Sequence, residues 1–115
     1  MAYSQFDSAQ LDGSGTVVVS GPIHFAQDEQ EVTVVESLNF VLVQDDVFVA
    51  GRGSVEGKGR WGGQSNVADK LLAGPAQAFG MAVLVRRAQA ATTATPASRP
   101  VVQMLTWSEA ITITT

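Results

Sequence analysis

The sequence contains no cysteine, and only 16% of its 115 residues are charged. The absence of cysteine excludes disulfide bonds, thiol catalysis and zinc sites with cysteine ligands. A metal site would therefore need oxygen ligands or His24, the single histidine of the chain. The net charge of -4 disfavours broad attraction to nucleic acids or to anionic membranes.

Long hydrophobic runs are also lacking. No stretch approaches the roughly 18 apolar residues of a membrane span, and the start of the chain, MAYSQFDSAQ, lacks the basic and apolar regions of a signal peptide. We therefore expect a soluble protein, cytoplasmic or part of an assembly, with no membrane partner. The length predicts one domain over residues 1–115, and the apolar content of 45% predicts an ordered core.

What the sequence does contain is alternation of apolar and polar residues, enriched in Val, Ile, Phe and Thr, which predicts an all-β fold. The alternating stretches are residues 16–25, 31–43, 47–61, 77–87 and 105–114, the last forming one long strand or two with a kink at Ser108–Glu109. Between the third and fourth, SNVADKLLAGP at 65–75 has the capping and stop signals of a short helix. The biased Ala/Thr/Pro stretch at 88–100 predicts a loop.

The alternation also assigns faces. In the stretch 77–87, the larger apolar residues share one side, which we expect to face the core. These residues are Phe79, Met81, Val83 and Val85.

The glycine-rich run GRGSVEGKGRWGG, residues 51–63, alternates as a strand does. A phosphate-binding loop needs its glycines in a turn between a strand and a helix, so the dinucleotide and Walker A interpretations fail. Because four glycines on one strand face are unfavourable by themselves, we expect them to permit strong sheet curvature.

Antiparallel partners must share a face, and this requirement fixes a register for the run. A turn at Asp45–Asp46 places Phe40 opposite Gly51 and keeps nearly every pair apolar or small. The sequence therefore predicts one long, bent hairpin over residues 31–61, with a bulge near Glu36.

Strong curvature is typical of a small β-barrel or a coiled β-sandwich, and both architectures stay open. The order of three strands, a short helix and two strands is also that of the OB-fold barrel, which is a further option for the topology.

A basic stripe is the first candidate site. Arg52, Lys58 and Arg60 share a strand face, and such a face can bind single-stranded nucleic acid by charge and stacking. Two residues oppose this interpretation, because Trp61 falls on the glycine side and Glu56 interrupts the stripe. A solvated strand face is the competing explanation.

Four other features have ordinary structural explanations. The DGSG at 12–15 does not align with a calcium loop and is typical of a turn. His24 lies on a polar strand face without a catalytic partner at a recognisable spacing. Asp45–Asp46 are favoured turn residues, and Arg86–Arg87 end a strand in solvent.

No catalytic, cofactor-binding or metal-binding residue is assigned, and an enzyme is disfavoured. Low charge and abundant strand edge favour a non-enzymatic, self-associating structural or interaction module, such as a virion-type assembly component, with a homo-oligomer or a protein partner. A single-stranded nucleic-acid-binding OB-like barrel is the alternative, and a small-ligand-binding barrel is the third hypothesis.

Overall fold

The computed structural model describes residues 3–12, 16–25, 33–56, 59–65, 71–86, 88, 91, 93, 96–97 and 99–115. In this part of the chain every regular element is a strand, which confirms the all-β prediction. The strands are β1 (Tyr3–Ser4), β2 (Ser8–Leu11), β3 (Val17–His24), β4 (Thr33–Gln44), β5 (Val47–Val55), β6 (Arg60–Ser65), β7 (Gly74–Arg86) and β8 (Val101–Ile113).

The strands form one antiparallel sheet in the order β1-β3-β6-β5-β4-β7-β8, and β2 also pairs with β3. Its two ends meet at a parallel bridge between Gln10 and Thr114. There, Leu11 N–H donates to the Thr114 carbonyl (2.8 Å) and Thr114 N–H donates to the Ala9 carbonyl (3.0 Å). The sheet is therefore a nearly closed barrel.

The predicted hairpin turn at Asp45–Asp46 is confirmed, and β4 pairs with β5 in the predicted register from Gln44–Val47 to Leu38–Gly53. The predicted bulge is also present, since the register between β4 and β7 shifts between Val35 and Ser37.

The rest of the predicted 31–61 hairpin is wrong. Instead of continuing along β4, the chain turns back after Glu56, and β6 pairs with β5 so that Val55 lies opposite Trp61. Gly59 adopts a φ of 78°, a conformation that glycine reaches without steric cost. Both arrangements keep Trp61 on the glycine side, so alternation alone could not distinguish a continuing strand from a returning one.

The barrel interior is filled by aromatic and aliphatic side chains. Trp61 is fully buried, with its ring centroid 5.2 Å from that of Phe6 and 5.8 Å from that of Trp107. Phe40 packs against this group and over Gly51, where an added Cβ would lie 2.4 Å from Phe40 Cζ. The glycine therefore makes room for an aromatic ring from the facing strand.

The large apolar residues of β7 point outward, so the inward orientation predicted for Phe79, Met81, Val83 and Val85 is wrong. The inward positions of β7 carry Ala76, Ala78, Gly80, Ala82 and Leu84, which are buried. The reason is space, because the indole of Trp107 occupies the interior against Gly80. A barrel already filled by aromatic rings accepts mainly small residues from this strand.

The OB-like option is not the observed topology. An OB-fold has five strands, whereas the described residues form eight. Residues 66–70 of the helix prediction lie outside the described residues. At its edges, Ser65 belongs to β6 and Gly74 begins β7, while Leu71 and Leu72 are not helical.

The N-terminal strands β1 and β2 were not predicted, since they are short and hardly alternate. Most of the predicted loop at 88–100 lies outside the described residues.

Over the described ranges, the chain has no helix with the length and hydropathy that a membrane crossing requires.

Candidate interaction surface

The predicted basic stripe is divided between strands. Arg52 lies on β5 opposite Gln64 of β6, whereas Arg60 lies at the start of β6, four residues from that level. At about 3.3 Å per residue, the two arginines are separated by roughly 13 Å along the strand. Lys58 lies outside the described residues, and Trp61 is buried, so this surface presents no indole for stacking. Nucleic-acid binding stays an untested prediction.

Arg60 is engaged by the carboxylate of Asp7, which lies between β1 and β2. Its two terminal nitrogens lie 2.9 and 3.0 Å from the two carboxylate oxygens of Asp7, a bidentate arrangement. The hydrogen bond from Arg60 lowers the pKa of Asp7 below its ordinary value of 3.8, partly opposed by burial and reinforced by the positive charge of Arg60. The pair neutralises one of the predicted phosphate-binding charges.

The other sequence candidates behave as structural residues. His24 is exposed, and its ring stacks on that of Tyr3 with centroids 4.7 Å apart. Asp12 accepts a hydrogen bond from Thr16 N–H (3.1 Å), as expected where the chain reverses before β3. Among the described residues, no cluster of three or more metal-ligating side chains occurs.

The remaining two candidates are the aspartates of the turn and the pair of arginines. Asp45–Asp46 form the β4–β5 turn. Arg86 is exposed at the end of β7, and Arg87 lies outside the described residues.

A shallow groove of about 440 Å³ lies on the outer surface of β3, β5 and β6. Arg52, Glu56, Ser20 and Gln64 supply its polar groups, and glycines of β5 and β6 form its floor. The groove is open to solvent and both charge signs are present. This geometry does not define a recognisable ligand class.

The most distinctive surface begins on β5 and extends away from this groove across β4, β7 and β8. Large apolar side chains stand on the outer positions of β4, β5, β7 and β8, and we call them the outer apolar face. Its members are Val41, Val43, Phe48, Phe79, Met81, Val83, Met104 and Val102. Phe48 is 73% exposed, Met104 63% and Val102 66%.

These side chains are neighbours across the strands. Val43 lies opposite Phe48, and Val41 lies opposite Phe79. Val83 lies opposite Met104. The apolar residues therefore form one band rather than scattered exposed positions, which is the arrangement that marks interaction sites on soluble proteins.

Charge is absent from the β4, β7 and β8 parts of this band, and Arg52, opposite Asn39 on the outer side of β5, lies at its border. The outer positions of β4 from residue 37 to 43, of β7 from 75 to 85 and of β8 from 102 to 112 carry no charged residue, although the chain has 18 charged side chains, 7 basic and 11 acidic. Depletion of charge at the centre of an exposed patch is typical of protein interfaces. Sequence alternation alone could not identify the outer apolar face, because its position depends on the aromatic side chains that fill the barrel interior.

Comparison of the chain with protein-family models, with curated protein sequences and with solved structures finds no match.

Proposed function

We propose that this chain is a non-enzymatic structural module that self-associates by burying its outer apolar face. The observation that carries the proposal is the exposed, charge-free band that includes Phe48, Phe79 and Met104. A monomer would leave these side chains in water, and each large apolar side chain gains roughly 1.5–3 kcal/mol when it is fully buried.

A second copy of the chain is the partner that we propose, because its outer apolar face is as poor in charge as the face that it would cover. The protein has a net charge of -4, so two copies repel each other weakly at long range. Contact through the outer apolar face brings together outer positions of β4, β7 and β8 that carry no charge, so none of these positions has an ionised group to desolvate. Such a component would suit a repeated assembly built from one chain.

Sedimentation velocity of the purified protein from low to high micromolar concentration tests this proposal. We expect the mass to rise with concentration. Phe48→Glu and Phe79→Glu place charge in the band and should each weaken association by roughly tenfold or more. The matched control is Val18→Glu, which introduces the same charge at an exposed outer position on β3, outside the band.

The control should associate as the unsubstituted protein does. A protein that stays monomeric at every concentration would remove the proposal. Equal weakening by Val18→Glu would show that added net charge, rather than the outer apolar face, governs association.

A further inference from the structure

β8 has one edge that β7 does not use. At the end of β8, the N–H and carbonyl of Thr114 bond to β2. Because backbone groups alternate sides along a strand, the even-numbered residues of β8 direct their N–H and carbonyl groups away from β7. Among the described residues, none pairs through its backbone with this edge between Val101 and Thr112.

The barrel seam covers only the C-terminal half of this edge. Beyond the Gln10–Thr114 bridge, the Glu109 carboxylate accepts a hydrogen bond from Phe6 N–H across the seam. The N-terminal part, from Val101 to Thr106, extends past that point. Its side chains are largely exposed, including Val102 and Met104.

This segment lacks the usual protection of a strand edge. Natural edge strands carry charges, prolines or bulges that prevent pairing with another chain. VVQMLTWS, residues 101–108, contains no charged residue, no proline and no glycine, and it pairs with β7 without a register shift. An edge of this kind is a template for an added strand.

We propose that β8 pairs antiparallel with β8 of a second copy, centred on Met104 of both chains. This inference rests on the proposed self-association and specifies its first contact. Met104 then lies opposite Met104 of the second copy, and Val102 lies opposite Thr106. These even-numbered residues exchange N–H and carbonyl hydrogen bonds as an antiparallel pair requires.

The chain itself fits this partner because the uncharged segment meets an identical segment, so no like charges become adjacent. The paired segment ends before Glu109, whose carboxylate accepts a hydrogen bond from Phe6 N–H of its own chain.

Pairing also has a consequence for the outer apolar face. The two-fold axis of such a pair is perpendicular to the sheet, and paired residues share a face. The outer apolar faces of the two copies therefore lie side by side on one surface of a continuous sheet, β4-β7-β8 joined to β8-β7-β4. Burial of this joined face then builds assemblies larger than the dimer.

The test uses the Phe48→Glu variant, in which growth through the outer apolar face is weakened. In this background, sedimentation should still show a dimer. Met104→Pro removes an N–H that points away from β7, a position where an edge strand tolerates proline. It should weaken dimerisation roughly tenfold to a hundredfold, because two backbone hydrogen bonds per dimer are lost. Met104→Thr keeps the N–H and should weaken dimerisation far less.

A spin label gives a direct readout that does not depend on the proline variant folding. The chain has no cysteine, so Met104→Cys provides a single labelling site. Opposite residues in an antiparallel pair have Cα atoms about 5.5 Å apart, and the two labels should show strong dipolar broadening. Labels at Val18→Cys, outside the band, should not.

Three results separate the two proposals. If the unsubstituted protein never associates, both are wrong. If it associates but Phe48→Glu is monomeric, the edge pairing is wrong and association through the outer apolar face stands. A dimer of the Phe48→Glu variant that keeps Met104 labels far apart also overturns the edge pairing.

Discussion

Trp107 of β8 packs its indole directly against the backbone of Gly80, the residue opposite it on β7. A Cβ at Gly80 would lie 2.2 Å from Trp107 Cε2, far inside van der Waals contact. This one contact explains why small residues line the inner side of β7. It thereby explains why Phe79 and Met81 are on the surface, where they form part of the outer apolar face.

Gly80→Ala should therefore destabilise the fold. The added methyl group must displace the indole of Trp107, and overpacking of this kind costs about 1–3 kcal/mol in the free energy of unfolding. Urea unfolding measures the loss. In a Trp107→Leu background the same substitution should cost much less, because contacting residues are not additive. An unchanged stability of Gly80→Ala would mean that the indole does not occupy this position.

Substitution by phenylalanine should destabilise the protein more at Trp61 than at Trp107. Trp61 Nε1 donates to the Gln5 carbonyl at 3.2 Å, whereas no described residue accepts a hydrogen bond from Trp107 Nε1. Trp61→Phe replaces a buried indole with a smaller phenyl ring and removes a satisfied hydrogen bond, and we expect a loss of about 2–3 kcal/mol. Trp107→Phe removes an unsatisfied donor and should cost less. Thermal unfolding of both variants measures the difference, and the reverse order would contradict the packing of the cluster.

The Asp7–Arg60 pair should make a small contribution to stability that depends on pH. Because the folded pKa of Asp7 is below 3.8, its stabilising effect is complete above that value and is lost as the pH falls through the folded pKa. Asp7→Asn should therefore lower the melting temperature slightly at neutral pH and leave it unchanged in strong acid. Both side chains are about half exposed, so added salt should reduce the difference. A difference that persists in strong acid would assign the effect to something other than the carboxylate charge.

The β4–β5 turn offers a pair of adjacent sites for a backbone test. Asp45 has a φ of 53°, whereas Asp46 does not have a positive φ. Both are exposed. Asp45→Ala should cost about 1 kcal/mol, because alanine is disfavoured in the left-handed region and lacks the local hydrogen bonding of aspartate. Asp46→Ala should cost clearly less. Equal effects in chemical denaturation would show that loss of charge, not backbone conformation, is the cause.

Local features of the fold were predictable because they depend on neighbouring residues. Alternation identified the cores of β3 to β5, β7 and β8. The turn at Asp45–Asp46 followed from the requirement that paired residues share a face. The bulge near Glu36 followed from a break in the alternation.

The candidate surface was not predictable in the same way. Alternation states that Phe79 and Ala78 face opposite sides, but not which side is the interior. Hydrophobicity favoured Phe79, and that expectation was wrong because Trp61, Phe6 and Trp107 fill the barrel. The buried side of β7 depends on volume supplied by side chains that are distant in sequence, from β6, from β8 and from the segment between β1 and β2, which no local pattern contains.

The sequence by itself determined that the chain forms strands, where one hairpin turns, and that Trp61 lies on the side of the glycines. Only the tertiary structure decided that residues 60–65 return along β5, that β2 closes the sheet against Thr114, and that the larger apolar residues of β7 face outward. The physical reason is that a period of two is a property of the local backbone. Strand order and the choice of the buried face are instead set by which distant side chains fill a limited interior.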